Sequence, residues 1–140
     1  MLILFSSSKL NQYWTDIYFH LHYPHGEKIT HQMVRILQLI DKKERVVVND
    51  VATHLDISHN TASEHVKRMI QKNYIEKKRD QEDERKVILR LTDFGTNVLH
   101  ENTSLDEEKL NHIFSNMDED EKELISKAFK LLSERAKSCM

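Results

Sequence analysis

Asn49 to Gln71 reads NDVATHLDISHNTASEHVKRMIQ, and the fold turns on this stretch. Val51, Ala52 and Leu55 supply the apolar face of a short helix, with Asn49 as its candidate cap. Asp56-Ile57-Ser58 is a tight connection. Ser58 is the natural N-cap of a second helix from His59 to about Lys72, because a serine oxygen accepts from the orphan amides of a first turn. Ala62, Val66, Met69 and Ile70 recur at three- and four-residue spacing and form the buried face. Asn60, Thr61, Glu64, Lys67, Arg68 and Gln71 form an open, polar face.

Towards the C-terminus, Tyr74 to Arg79 reads as one strand and Lys86 to Leu91 as another. In the second, Val87, Leu89 and Leu91 alternate with Ile88 and Arg90. The intervening Asp80-Gln81-Glu82-Asp83-Glu84-Arg85 has no glycine, so it is not a two-residue primed turn; a longer, mobile loop is expected. Two short helices, a tight turn and a hairpin make a winged helix-turn-helix. Thr92 then caps a helix from Asp93 to about Asn116, and Asp118 with Glu121 opens a last helix as a capping-box-like pair. This last helix carries two stripes: Leu124, Ala128, Leu131 and Ile125, Phe129, Leu132, Ala136. Two stripes suit a helix between its own domain and a second subunit, or an internal helix of a bundle.

Towards the N-terminus, the β-branched Val46-Val47-Val48 reads as a very short strand. Before it, Thr30 caps a helix with Met33, Ile36, Leu37 and Ile40 on its apolar face. Lys42, Lys43 and Arg45 follow, favourable near a helix C-terminus. The first helix runs from Lys9 to about His22 on the stripe Leu10, Tyr13, Trp14, Ile17, Tyr18, Leu21, and Pro24 and Gly26 end it. The expected order is α-α-β-α-α-β-β-α-α, mostly α with a small β-hairpin wing. A length of 140 residues suits one domain, and two glycines and one proline fit a helical chain with few turns.

The net charge of −2 does not by itself point to nucleic acid, but its distribution is uneven. Residues 1–58 are neutral overall, residues 59–90 carry +3 and residues 91–140 carry −5. A basic middle beside an acidic tail separates a region that can meet phosphate from one that avoids it; an ordinary uneven surface would look the same. The lone Cys139 cannot form an intrachain disulfide. Leu2-Ile3-Leu4-Phe5 is too short for a signal-peptide core, and no run approaches the roughly 20 apolar residues that span a bilayer. A cytoplasmic protein without a membrane partner is expected.

A helix that reads bases needs small or hydrogen-bonding side chains near its N-terminus, so that its backbone can approach the groove. Asn60, Thr61 and Ser63 meet that need, and one turn on Lys67 and Arg68 can reach phosphates or a guanine edge. Lys77-Lys78-Arg79 and Arg85-Lys86 bring five positive charges to the hairpin near its loop. An arginine there suits the narrow, negative minor groove, and Asp83 can orient Arg85 through a charge-assisted hydrogen bond. A solvated charged turn is the plain alternative.

At this point the sequence resembles the MarR family of bacterial regulators. The resemblance covers Ile29 to Gly95 by pattern and the flanking helices by layout. Its most specific part is Asp83-Glu84-Arg85, a short strand, then Leu91-Thr92-Asp93-Phe94-Gly95, which matches the family's Asp-x-Arg and Leu-Thr-x-x-Gly wing signature. The stretch Met69 to Ile75 fits the family's helix exit, with Asn73 where a glycine is usual; asparagine tolerates the left-handed conformation. The resemblance implies a homodimer with interlocked N- and C-terminal helices, a recognition helix in the major groove and the wing in the minor groove. Residues 1–140 would form a single domain, with a winged-helix lobe at about 29–92 and dimerisation helices at about 8–25 and 93–138. The candidate DNA-binding set is Ser58, Asn60, Thr61, Ser63, Glu64, Lys67, Arg68, Arg79, Arg85 and Lys86, with Asp83 as wing support. The implied partner is double-stranded DNA carrying a near-palindromic operator. Members of the family usually repress, and many release DNA on binding a small molecule, often an aromatic anion.

Other chemistry is weakly signalled. His20, His22, His25 and His31 cluster in sequence, but His20 and His22 lie about 200° apart around a helix, so a zinc-sensing regulator competes with scattered histidines. Tyr13, Trp14 and Tyr18 could line a ligand pocket or simply pack. Cys139 has no electropositive setting apart from Lys137. No glycine-rich phosphate loop, nucleophile elbow or His-Glu-x-x-His is present, so neither an enzyme nor a resident cofactor is expected. A winged helix used only for protein–protein contact would show exposed apolar anchors on its open helix face, and Asn60 to Gln71 offers none.

Overall fold

The computed structural model describes residues 5–24 and 26–139; Leu2 to Leu4 and His25 lie outside the described residues. The chain forms two compact units, Met1–Ser104 and Leu105–Met140. The first holds α1 (Ser7–Leu21), α2 (His31–Lys42), α3 (Val48–Leu55), α4 (His59–Gln71), β1 (Ile75–Arg79), β2 (Val87–Leu91) and α5 (Asp93–Thr103). The second holds α6 (Glu107–Ser115) and α7 (Glu119–Ser138).

Most helix starts follow from one side chain each. Thr30, Ser58 and Thr92 accept from the amides of Met33, Thr61 and Gly95 at 3.2, 3.1 and 2.9 Å. Asp118 accepts from the amide of Glu121 at 2.8 Å while the Glu121 carboxylate accepts from the amide of Asp118, a complete capping box. α3 ends at Asp56 and α4 exits through Asn73, both left-handed (φ 54° and 64°), a conformation that short polar side chains tolerate.

Three expectations are corrected. Val46-Val47-Val48 is not a strand: only Val46 bridges, to Leu89, and Val48 is already helical. The Asp50 carboxylate accepts from the amide of Val47 at 2.8 Å and turns the chain into α3, so Val47 rather than Asn49 is the first capping residue. The helix expected from Asp93 to about Asn116 breaks at Ser104, and Asp106 caps α6 by accepting from the amide of Glu108 at 3.0 Å. Short polar side chains offer the backbone partners outside the helical ladder, and here that competition ends a run that periodicity would continue.

The core lies in the first unit. Ile36 and Leu37 of α2, Val51 of α3, Ala62, Val66 and Met69 of α4, Ile75 of β1, Leu89 of β2 and Val98 of α5 are buried together. Burying one such large aliphatic side chain is worth about 1.5–3 kcal/mol. The hairpin pairs antiparallel from Ile75 with Leu91 to Arg79 with Val87. Neither α1 nor α7 contains a buried residue. Leu10, Tyr13, Trp14 and Phe19 of α1 are exposed, as are Leu124, Phe129, Leu131 and Leu132 of α7.

Candidate nucleic-acid interface

The apolar rows of α4 face the core and leave the remaining rows to solvent. Ser58, Asn60, Thr61, Ser63, Glu64, Lys67 and Arg68 are all exposed. Ser58 is committed first to the helix start: its oxygen accepts from the Thr61 amide, and its hydroxyl donates to the Thr61 hydroxyl at 2.9 Å. Thr61 keeps its own hydroxyl proton free to donate outwards. Among the described residues, no group bonds or pairs with the side chains of Asn60, Ser63, Glu64, Lys67 or Arg68. The face therefore offers an amide, two hydroxyls, a carboxylate and two cations to whatever approaches it.

The wing presents the second cluster. Arg79, Arg85 and Lys86 are exposed, Arg85 at 91% of its side chain. Asp83 holds Arg85 as expected: one carboxylate oxygen accepts from the Arg85 backbone amide at 3.1 Å and from its Nε at 3.2 Å. Both Nη groups stay free to point outwards, the fork that suits paired acceptors. Arg79 instead donates to the backbone oxygen of Glu84 at 2.8 Å, so part of its charge serves the loop.

The loop expected to be long is long, and it is internally bonded. The Asp80 amide donates to the Lys86 oxygen at 3.0 Å, and the Lys86 amide donates to the Asp83 oxygen at 2.9 Å. Asp80 is only 5% exposed. One of its oxygens accepts from the Glu82 amide at 3.0 Å, and the other pairs with Arg45, which also reaches Glu82 at 2.8 Å. The Glu82 amide and then Arg45 hold the Asp80 carboxyl below the usual carboxylate range, even though desolvation opposes them. Arg45 is held above its ordinary value by its bond to and charge attraction from Asp80, with Glu82 adding to them. This cluster was not read from the sequence. Its one local signal is Asp80 two residues before Glu82, an Asx-turn spacing.

An open cleft of about 610 Å³ lies between the starts of α3 and α4 and the root of the wing, where Arg45, Asn49, His59, Asp80 and Lys86 line it. Tyr13, Trp14 and Tyr18 do not line it; the Tyr18 hydroxyl donates to the Asn102 backbone oxygen at 3.1 Å. Among the described residues, no three His, Cys, Asp or Glu side chains are grouped to hold a metal ion, and no helix is long and apolar enough to cross a membrane.

A capped helix with an open polar face, followed by a cationic hairpin, is the winged helix-turn-helix of transcription regulators. Residues 25–102 match the transcriptional regulator SarA/Rot family, and the chain belongs to that family, one of regulators and not of enzymes. No curated protein matches the chain significantly. Among solved structures it is similar to MarR-family regulators, to which that family is related. S. aureus MepR bound to ethidium bromide is 22% identical with a TM-score of 0.61, over 93% of this chain and 96% of that one. Streptococcus pneumoniae FabT in complex with DNA is 21% identical with a TM-score of 0.58, over 96% of this chain and 100% of that one. The zinc-responsive Lactococcus lactis ZitR is 20% identical with a TM-score of 0.51, over 91% and 96%. At these identities the likeness is one of fold, and it bears out the expected mostly α architecture with a hairpin wing.

Proposed function

We propose that the chain is a homodimeric, cytoplasmic repressor that reads a near-palindromic operator in double-stranded DNA and is relieved by a small molecule. The observation that carries the DNA reading is the pairing of an unpartnered polar face on α4 with a wing arginine whose Nε is fixed and whose Nη groups are free. In this reading Asn60, Thr61, Ser63, Glu64, Lys67 and Arg68 meet base edges and phosphates in the major groove. Ser58 positions the helix start, Arg85 enters the minor groove with Asp83 behind it, and Arg79 and Lys86 neutralise phosphate. FabT, solved with DNA, supports the nucleic-acid partner, and MepR, solved with ethidium, supports a small-molecule effector. The exposed apolar rows of α1 and α7 support the homodimer, since rows of that size seldom stay open to water.

The test is a fluorescence-anisotropy titration of the protein against duplex DNA from its own upstream region, with random duplex as competitor, at several salt concentrations. Tight binding that survives the competitor and weakens steeply with salt is the expected outcome. Equal, weak binding to both duplexes would overturn sequence-specific reading and return the open face to protein–protein contact.

A further inference from the structure

The wing has no glycine and no two-residue hairpin turn; its one tight turn, closed by the Lys86 amide on the Asp83 oxygen, sits within a longer loop that is also held from outside the hairpin. The residues that hold it come from the far end of the α2–α3 connection. Arg45 adopts φ 58°, a left-handed conformation that arginine rarely takes. From there its guanidinium spans Asp80 and Glu82 of the loop, while the next residue, Val46, is buried and accepts from the Leu89 amide of β2 at 2.8 Å. Two adjacent residues therefore grip the wing at two levels, at the middle of a strand and at its loop.

The grip continues to the tip. Asp80 bonds the Lys86 oxygen through its amide, Lys86 bonds the Asp83 oxygen through its own, and Asp83 holds Arg85. We infer that Arg45 is a positioning residue for DNA binding: without touching DNA, it aims Arg85 through Asp80 and the bonded loop. This inference rests on the reading of the wing as a DNA contact. Its physical core is the buried Asp80 carboxylate. Remove Arg45 and that carboxylate loses its charged partner, so the loop must open to hydrate it.

The experiment is a double-mutant cycle in the anisotropy assay, with Arg45→Ala, Arg85→Ala and both together, paired with amide exchange of the DNA-free proteins. Arg45→Ala is expected to weaken specific binding about tenfold, Arg85→Ala by a similar factor, and the double variant no more than Arg85→Ala alone, because the two act through one contact. Losses that multiply, or an Arg45→Ala protein that binds like the parent, would overturn the inference. The Glu82, Arg85 and Lys86 amides should exchange faster in Arg45→Ala while Val66 and Met69 of α4 stay protected. Unchanged loop exchange would also overturn it. Should the parent protein read no operator, the DNA reading fails by itself, and the exchange comparison still decides whether Arg45 orders the wing. If Arg45→Ala does not fold, Arg45→Lys serves in its place, since it keeps the charge and loses the two-pronged fork.

Discussion

A methyl group on Gly95 would overlap the carbonyl oxygen of Tyr74 and lie 2.7 Å from its carbonyl carbon. Both are backbone atoms in a region where Thr92 donates its hydroxyl to the oxygen of Asn73 at 2.6 Å, so nothing can shift cheaply. Gly95→Ala is expected to lower stability by about 1–3 kcal/mol in urea unfolding. Tyr74 itself donates its hydroxyl to the Glu27 carboxylate at 2.6 Å, and burial, then that bond, push its phenol up to about 12. The stabilisation is complete below the ordinary tyrosine value near 10 and is lost as pH rises through about 12. A phenolate absorbance titration should show a late step that Tyr74→Phe removes. On the open face, Arg68→Ala should weaken operator binding by about 1–3 kcal/mol if Arg68 meets a base, as should Arg85→Ala at the wing. Unchanged affinity for both would put the interface elsewhere.

At the scale of elements, the parts legible in the sequence are those settled within one turn of chain. Thr30, Ser58, Thr92 and Asp118 cap where they were expected to, because a cap is a contact over three residues. The hairpin was legible from the alternation of Val87, Leu89 and Leu91. The errors fell where a side chain outbid a propensity: Asp50 made Val47 the cap and Val48 the first residue of α3, and Asp106 started a new helix. The Arg45–Asp80 pair was not legible at all, because it joins residues 35 apart and carries no periodicity. The open face of α4 and the Asp83–Arg85 pair were legible because spacing alone orders them. The depressed Asp80 carboxyl also sets an acid response for the wing. Its stabilisation is present above the ordinary aspartate value and is lost only as pH falls through the lower folded value. Amide exchange of Glu82 and Lys86, corrected for intrinsic rates, should therefore stay slow down to ordinary carboxylate pH and rise below it; loop opening near neutral pH would contradict this.

For the whole molecule, the open apolar rows make the oligomeric state the decisive observation. Sedimentation at micromolar concentration should give a dimer, and Leu131→Glu with Phe129→Glu should shift it towards monomer and weaken operator binding together. A two-fold dimer also requires half-sites about one helical turn apart, which footprinting would read directly. A monomer bound at one asymmetric site would remove both expectations.

The absence of any buried residue in α1 and α7 reaches further than assembly. Tertiary packing supplies most of a helix's stability in a folded chain, and these two helices bury no residue fully. If the proposed homodimer covers their exposed rows, the melting temperature should climb with protein concentration. In a cell the scarce, unassembled copies would be the ones proteases clip first. Turnover would thus sharpen the boundary between too little regulator to act and enough to hold an operator, without any added signal.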